Sequence, residues 1–299
     1  MDAASLRMPE PVPSDAGTPA APTRPVRSAA PRERTAAPRR SRMVYVLPIL
    51  AGVLFFGTWE LLVRSLGISK FVLPPPSLIA RTLVTDAPVL FAALRFTAGI
   101  TLAAFSLAVV SGLVFGVVLT QSRPLEMALW PYAVILQVTP AMAIAPLILI
   151  WVGLDRVWLA LLLLAWIVAF FPILSNTALG LKSADHGLRN VFALYGGSRW
   201  KVFRYLLLPS ALPYILAGVR ISAGLSLIGA IVAEFVAGSG GATGLAWTIV
   251  EAGGALNVPR MFAALFVLSA FGITIWYAMA LLQWALLHRW HESEIRQEN

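Results

Sequence analysis

Beyond its first forty or so residues the sequence is a succession of long apolar runs separated by short polar or proline-rich joints. The runs cover about 44–63, 93–120, 129–151, 157–179, 214–236 and 261–287. Each is long enough to cross the roughly 30 Å hydrocarbon core of a bilayer as a helix, which takes about 20 residues. The pattern therefore predicts an all-α, polytopic membrane protein with six transmembrane helices. It divides the chain into a polar tail over 1–42, a first helix and an outer segment over 43–91, a main helical domain over 92–288 and a second tail over 289–299.

The joints and the irregularities within the runs add detail. Pro74, Pro75 and Pro76 precede Ser77, which is placed as the cap of a short helix over 78–83, too short to span. Gly112 and Gly116 stand four apart in the second run, a spacing that lets another helix approach closely. Pro140 and Pro146 interrupt the third run and Pro172 lies near the end of the fourth. Interruption frees backbone carbonyls, which must be satisfied by neighbours or by water in a cavity, so Pro140 and Pro146 are read either as lining a pathway or as packing kinks. In the fifth run Gly218, Ser222, Ser226, Ala230 and Glu234 recur every four residues, a stripe of small and polar side chains suited to a pathway wall or to close helix packing. Glu234 itself is read as a functional group facing a cavity or partner, or else as a cap for the turn Gly238, Ser239 and Gly240 or the partner of a basic residue. Arg220 is expected to reach toward the headgroups. A glycine-rich loop over 238–260, carrying Trp247 and Glu251, leads to the last run.

The segment over 182–213 is both charged and internally patterned. Leu188, Val191, Phe192 and Tyr195 share one face of a short helix for which Ser183 or Asp185 is the cap, and Gly196 and Gly197 end it. Ser198 is the N-cap of a second short helix with Trp200, Phe203 and Leu207 on one face, stopped by Pro209 and Pro213. Helices of two or three turns do not hold in water alone, so their apolar face calls for a membrane surface or another protein. The segment reads as a docking element.

Composition agrees with the membrane assignment, since 59% of the 299 residues are hydrophobic and only 12% charged. The net charge of +9 does not signal nucleic acid, because eight basic residues precede Met43 and the others flank apolar runs. The tail over 1–42, rich in Ala, Pro, Arg, Ser and Thr, is expected to be disordered. Arg39 and Arg40 resemble a twin-arginine signal, but the run after them is of spanning length without a small-residue cleavage site, so it is read as an uncleaved first helix. With both termini inside, sixteen basic residues fall on the cytoplasmic side against six opposite; without the tail the bias is eight to six. No cysteine is present, which excludes disulfides and thiol chemistry, and His186, His288 and His291 are scattered or terminal rather than a metal set. No Walker A, GxSxG or HExxH pattern and no paired acids at catalytic spacing occur, so no catalytic residue is assigned.

Gly196, Gly197, Ser198, Arg199 and Trp200, then Leu208 and Pro209, then 212–218 resemble the cytoplasmic loop of bacterial ABC importer permeases, and the likeness continues through Gly224, Leu225, 231–234, Gly244 and Leu245. Asn190, Val191 and Phe192 stand where that family has a Glu-Ala-Ala triplet. The similarity is greatest to the nitrate, sulfonate, taurine and pyrimidine-precursor uptake group. It implies the six-helix type I importer permease fold, a bacterial inner-membrane location and a loop that docks on an ATPase subunit through Leu188, Val191, Phe192, Tyr195, Gly196, Gly197 and Ser198. It also implies a second permease copy, an extracytoplasmic solute-binding protein, and ATP and Mg held by the ATPase partner, with no cofactor in this chain. In such a dimer the stripe from Gly218 to Glu234 is expected to face the central path. The substrate expected from this likeness is a small organic nutrient such as a pyrimidine or another heterocycle, with sulfonate or nitrate as rivals. A secondary transporter and a scaffold subunit of an enzyme complex are the other classes; the first would favour inverted repeats and several buried acids, which the sequence lacks.

Overall fold

The computed structural model describes residues 43–237 and 243–287; the expectations for the tails over 1–42 and 288–299, and for Gly238, Ser239 and Gly240, lie outside them. The chain divides into two compact units, Met1–Leu50 and Ala51–Asn299; α1 starts in the first, and the packing and sites below concern the second. Among the described residues the structure is helical without strands, in the order α1 (Met43–Ser65), α2 (Pro76–Thr85), α3 (Ala87–Gln121), α4 (Arg123–Val138), α5 (Ala141–Val152), α6 (Val157–Lys182), α7 (His186–Leu194), α8 (Arg199–Val202), α9 (Leu208–Ala237), α10 (Leu245–Gly254) and α11 (Val258–Leu287). Proline in the first turn of α2, α3 and α4 starts each of these helices, where the missing N–H has no intrahelical partner in any case. Among the described residues five helices are long and apolar enough to cross a membrane, and α4 with α5, bent by 100° at its break, brings the count to six if the pair is one span. The expected six-helix polytopic architecture is present.

The core is the packing of α6 on α9 and α3. The interface is close because glycines occupy it. A Cβ on Gly112 would lie 2.8 Å from the Ile173 side chain, and one on Gly116 2.7 Å from Thr177, so the spacing read from the sequence admits α6 against α3. Ala104, Ala160, Leu161, Leu164, Ala165, Ala230 and Ala233 fill the centre of this seam, with Ile100, Ile148 and Leu149 around it. A second apolar cluster joins α2, α3, α10 and α11 through Ile79, Leu90, Leu245, Ala263 and Leu268.

Four local features differ from the sequence expectations. The third run is not one kinked helix: Thr139 and Pro140 leave the helical range, with ψ of 122° and 115°, and α4 and α5 diverge there. Pro209 and Pro213 do not stop the second docking helix, because Phe203–Leu207 is a π-turn in which the Leu208 amide donates to the Phe203 carbonyl. Helix therefore runs without a stop over Arg199–Ala237. Ser77 does not cap α2, since Pro75 holds the cap position; instead the Glu60 carboxylate accepts from the Ser77 amide at 3.0 Å and from its hydroxyl at 2.8 Å. The glycine-rich loop contains a helix, α10, whose first turn lies against Glu234.

Candidate functional site

The docking segment folds from its own local signals. The Asp185 side chain caps α7 by accepting from the Leu188 amide at 3.0 Å, and Ser198 caps α8 by accepting from Lys201 at 3.3 Å. Gly196 has φ of +63°, and the Gly197 amide donates to the Phe192 carbonyl at 2.8 Å, the closing bond of a helix-ending motif that demands a left-handed residue. Arg189 donates to the Leu181 carbonyl at 2.9 Å, and Lys182 pairs closely with Glu126, so the segment is tied to the ends of α6 and α4. Its apolar side chains stay exposed. Leu188 and Val191 are half exposed and Tyr195 is 87% exposed, while Phe192, expected on the same face, is partly buried against Gly197. Leu194, not expected on that face, is 85% exposed and Trp200, stacked on Phe203, is 68% exposed. Two capped helices thus hold a formed apolar surface in the open.

The stripe on α9 has a different setting from the one expected. Gly218, Ser222, Ser226, Ala230 and Glu234 are all buried within the chain. Ser222 donates to the Ala169 carbonyl of α6 at 2.6 Å, and Ser226 to the Ala223 carbonyl of its own helix at 2.9 Å. A Cβ on Gly218 would come within 2.8 Å of the Pro172 carbonyl, so Gly218 and Ser222 lie in the seam along which α9 meets α6.

Glu234 ends that seam in a polar cluster that the sequence did not disclose. Its carboxylate accepts from the Thr97 hydroxyl at 2.7 Å and from the Ala246 amide at 2.9 Å, and the Thr97 hydroxyl in turn accepts from the Leu245 amide at 2.9 Å. The two donors are first-turn amides of α10, which have no partner inside the helix. Glu234 and Thr97 thus join α9, α3 and the start of α10.

A cleft of about 570 Å³ opens where α4 and α5 diverge, bounded by Gln137, Thr139, Pro140 and Met142 on one side and by Val168, Leu225 and Val232 of α6 and α9 on the other. Its lining is mostly apolar, with Gln137 and Thr139 as the polar side chains on the α4 side. Pro140 has no N–H for the Leu136 carbonyl, Pro172 none for the Val168 carbonyl, and the Gln137 side chain is exposed beside them. Unpaired backbone at membrane depth is tolerated where it lines a water-filled cavity. On the opposite side of α9, Arg220 donates to Gln283 of α11 at 3.3 Å and lies 5.1 Å from the centre of the Trp276 ring.

Comparison with known proteins places this geometry. Residues 108–290 match the family described as the inner membrane component of binding-protein-dependent transport systems. The chain is 34% identical over 237 residues to the riboflavin transport system permease protein RibX of Chloroflexus aurantiacus, covering 79% of this chain and 86% of that one. It is 30% identical over 241 residues to the formylaminopyrimidine transport permease protein ThiX of Halalkalibacterium halodurans, covering 80% and 94%. Among solved structures, an inward-facing form of the MetNI methionine ABC transporter superposes with a TM-score of 0.57 at 21% identity, over 67% of this chain and 97% of that one. That likeness shows a shared fold, and the matches in sequence show the family: the chain belongs to the ABC importer permeases, the inner-membrane components of binding-protein-dependent transport systems.

Proposed function

We propose that this chain is the permease of an ATP-driven importer for a small organic solute, taking its energy from a separate ATPase docked on 186–205. The observation that carries this reading is the exposed apolar surface of α7 and α8, preformed by the Asp185 and Ser198 caps and continuous in backbone with the spanning helix α9. A displacement imposed on α8 is passed through the π-turn into α9 without an intervening hinge loop. ATP-driven closure of two ATPase subunits would draw two such loops together and bias the helices between inward-open and outward-open arrangements, with hydrolysis resetting them. The chain would work as two copies, with an extracytoplasmic binding protein delivering solute and with both termini in the cytoplasm.

The solute path is assigned to the cleft at the α4–α5 break rather than to the buried stripe, because the cleft opens beside prolines that remove backbone donors and exposes the Gln137 side chain. RibX and ThiX are named for riboflavin and formylaminopyrimidine transport, which favours a nitrogen heterocycle as the solute here over a sulfonate or nitrate. Proteoliposomes holding the permease, its ATPase and its binding protein test the reading: labelled heterocycle should accumulate only with ATP inside the cytoplasmic face. A binding protein that takes nitrate or sulfonate and no heterocycle would end the substrate assignment. Uptake of solute without the ATPase would end the ATP-driven reading.

A further inference from the structure

Arg220 carries a charge inside a spanning helix, and no carboxylate of the described residues answers it; the ion pairs among them involve Arg64, Arg156, Lys182 and Arg260. Its two partners are neutral. Gln283 takes one of the five N–H donors of the guanidinium, and the Trp276 ring lies against its face. These contacts fix the plane of the guanidinium while leaving donors unspent. Depth follows from helix rise. Ala237 ends α9 17 residues beyond Arg220, about 26 Å at 1.5 Å per residue. Gln283 stands four residues, about 6 Å, before the end of α11 at Leu287. Against a hydrocarbon core of roughly 30 Å, Arg220 lies where acyl chains give way to headgroups, at the end of the bundle that carries the docking loop. Trp276 and Tyr277, exposed on the same stretch of α11, are side chains typical of that level.

We propose that Arg220, Gln283 and Trp276 form a site for a phosphate oxyanion, and that the occupant is the phosphodiester of an anionic phospholipid headgroup seated against α9 and α11. The planar fork of a guanidinium matches two oxygens of one phosphate, and an anion there supplies the countercharge that the protein does not. A phosphodiester without a choline ammonium beside it is the stronger ligand, because its charge is not offset within the same headgroup. The ring of Trp276 and the amide of Gln283 hold the arginine ready, so little side-chain freedom is lost when the lipid binds.

The full-length permease in nanodiscs tests this. With phosphatidylglycerol added to phosphatidylcholine discs, the thermal midpoint of the wild type should rise by several degrees. Arg220→Gln should lose that rise, Arg220→Lys should keep only part of it, and Trp276→Leu, which retains the charge, should show a smaller rise than the wild type. Inorganic phosphate added to phosphatidylcholine discs should leave the midpoint unchanged. An equal rise with inorganic phosphate would put a dissolved oxyanion in the site and overturn the lipid assignment. A full phosphatidylglycerol effect in Arg220→Gln would overturn the site itself. If Arg220→Gln does not fold, an undiminished effect in Trp276→Leu overturns it equally.

Discussion

Glu60 and Glu234 hold the starts of the two short helices, α2 and α10, that pack on α11. Each carboxylate accepts from first-turn amides, whose partial positive charge favours an acidic group. In the Glu234 cluster the Thr97 hydroxyl both donates to the carboxylate and accepts from Leu245, so Thr97→Val leaves the buried Leu245 amide without its partner and takes one donor from Glu234. A loss of about 1–3 kcal/mol is expected for a group so orphaned. Thermal unfolding in detergent should show a lowered midpoint for Thr97→Val and a near-normal one for Thr97→Ser, which keeps the hydroxyl; equal midpoints for all three would deny the cluster a structural role. Gly244→Ala should also destabilise, because the added Cβ would fall 2.1 Å from Glu234 Oε1. Little of this was legible beforehand. Glu234 stood out as an acid in an apolar run, but Thr97 lies 137 residues away, and a pairing at that distance leaves no periodic or local mark.

The docking helices and the broken span come from signals that the sequence carried, and their departures from expectation have local causes. Gly196 and Gly197 end α7 as their spacing predicts, and Gly196→Val should strain the turn, since a left-handed residue with a side chain costs roughly 1–2 kcal/mol and a branched one more. Weakened capture of the ATPase with unchanged membrane levels is the expected result, and full capture would show that the turn tolerates distortion. Pro140 marked the break in the third run, but nothing in composition specifies an angle of 100°. Pro209 misled because a π-turn shifts the bonding register just before it, and α10 went unseen because Gly253 and Gly254 lower helix propensity in a segment held by tertiary contacts. The stripe and the cleft separate by experiment. In a chain without cysteine, Gln137→Cys and Thr139→Cys should react with a water-soluble thiol reagent, while Ser222→Cys and Ser226→Cys, both buried, should stay protected. The reverse pattern would return the path to the stripe.

Among the described residues the helices form an apolar bundle, and a preformed contact element with exposed apolar side chains projects from the end of α6 and feeds directly into α9. The bundle's class was legible from run lengths alone, because twenty-residue apolar segments have few fates in a protein. Which face of α9 packs inside the chain was not, since small residues serve a seam and a path equally well. That an ATPase grips 186–205 is the claim on which the transport mechanism turns, and capture of the ATPase by membrane-inserted permease tests it most directly. Leu194→Asp and Tyr195→Asp place charges on side chains that are exposed in the free chain, so folding should survive while burial of an unpaired charge in the partner's groove costs several kcal/mol. The expected result is normal membrane insertion with ATPase capture reduced by at least about a hundredfold, roughly 2.7 kcal/mol. Undiminished capture by both variants would contradict it.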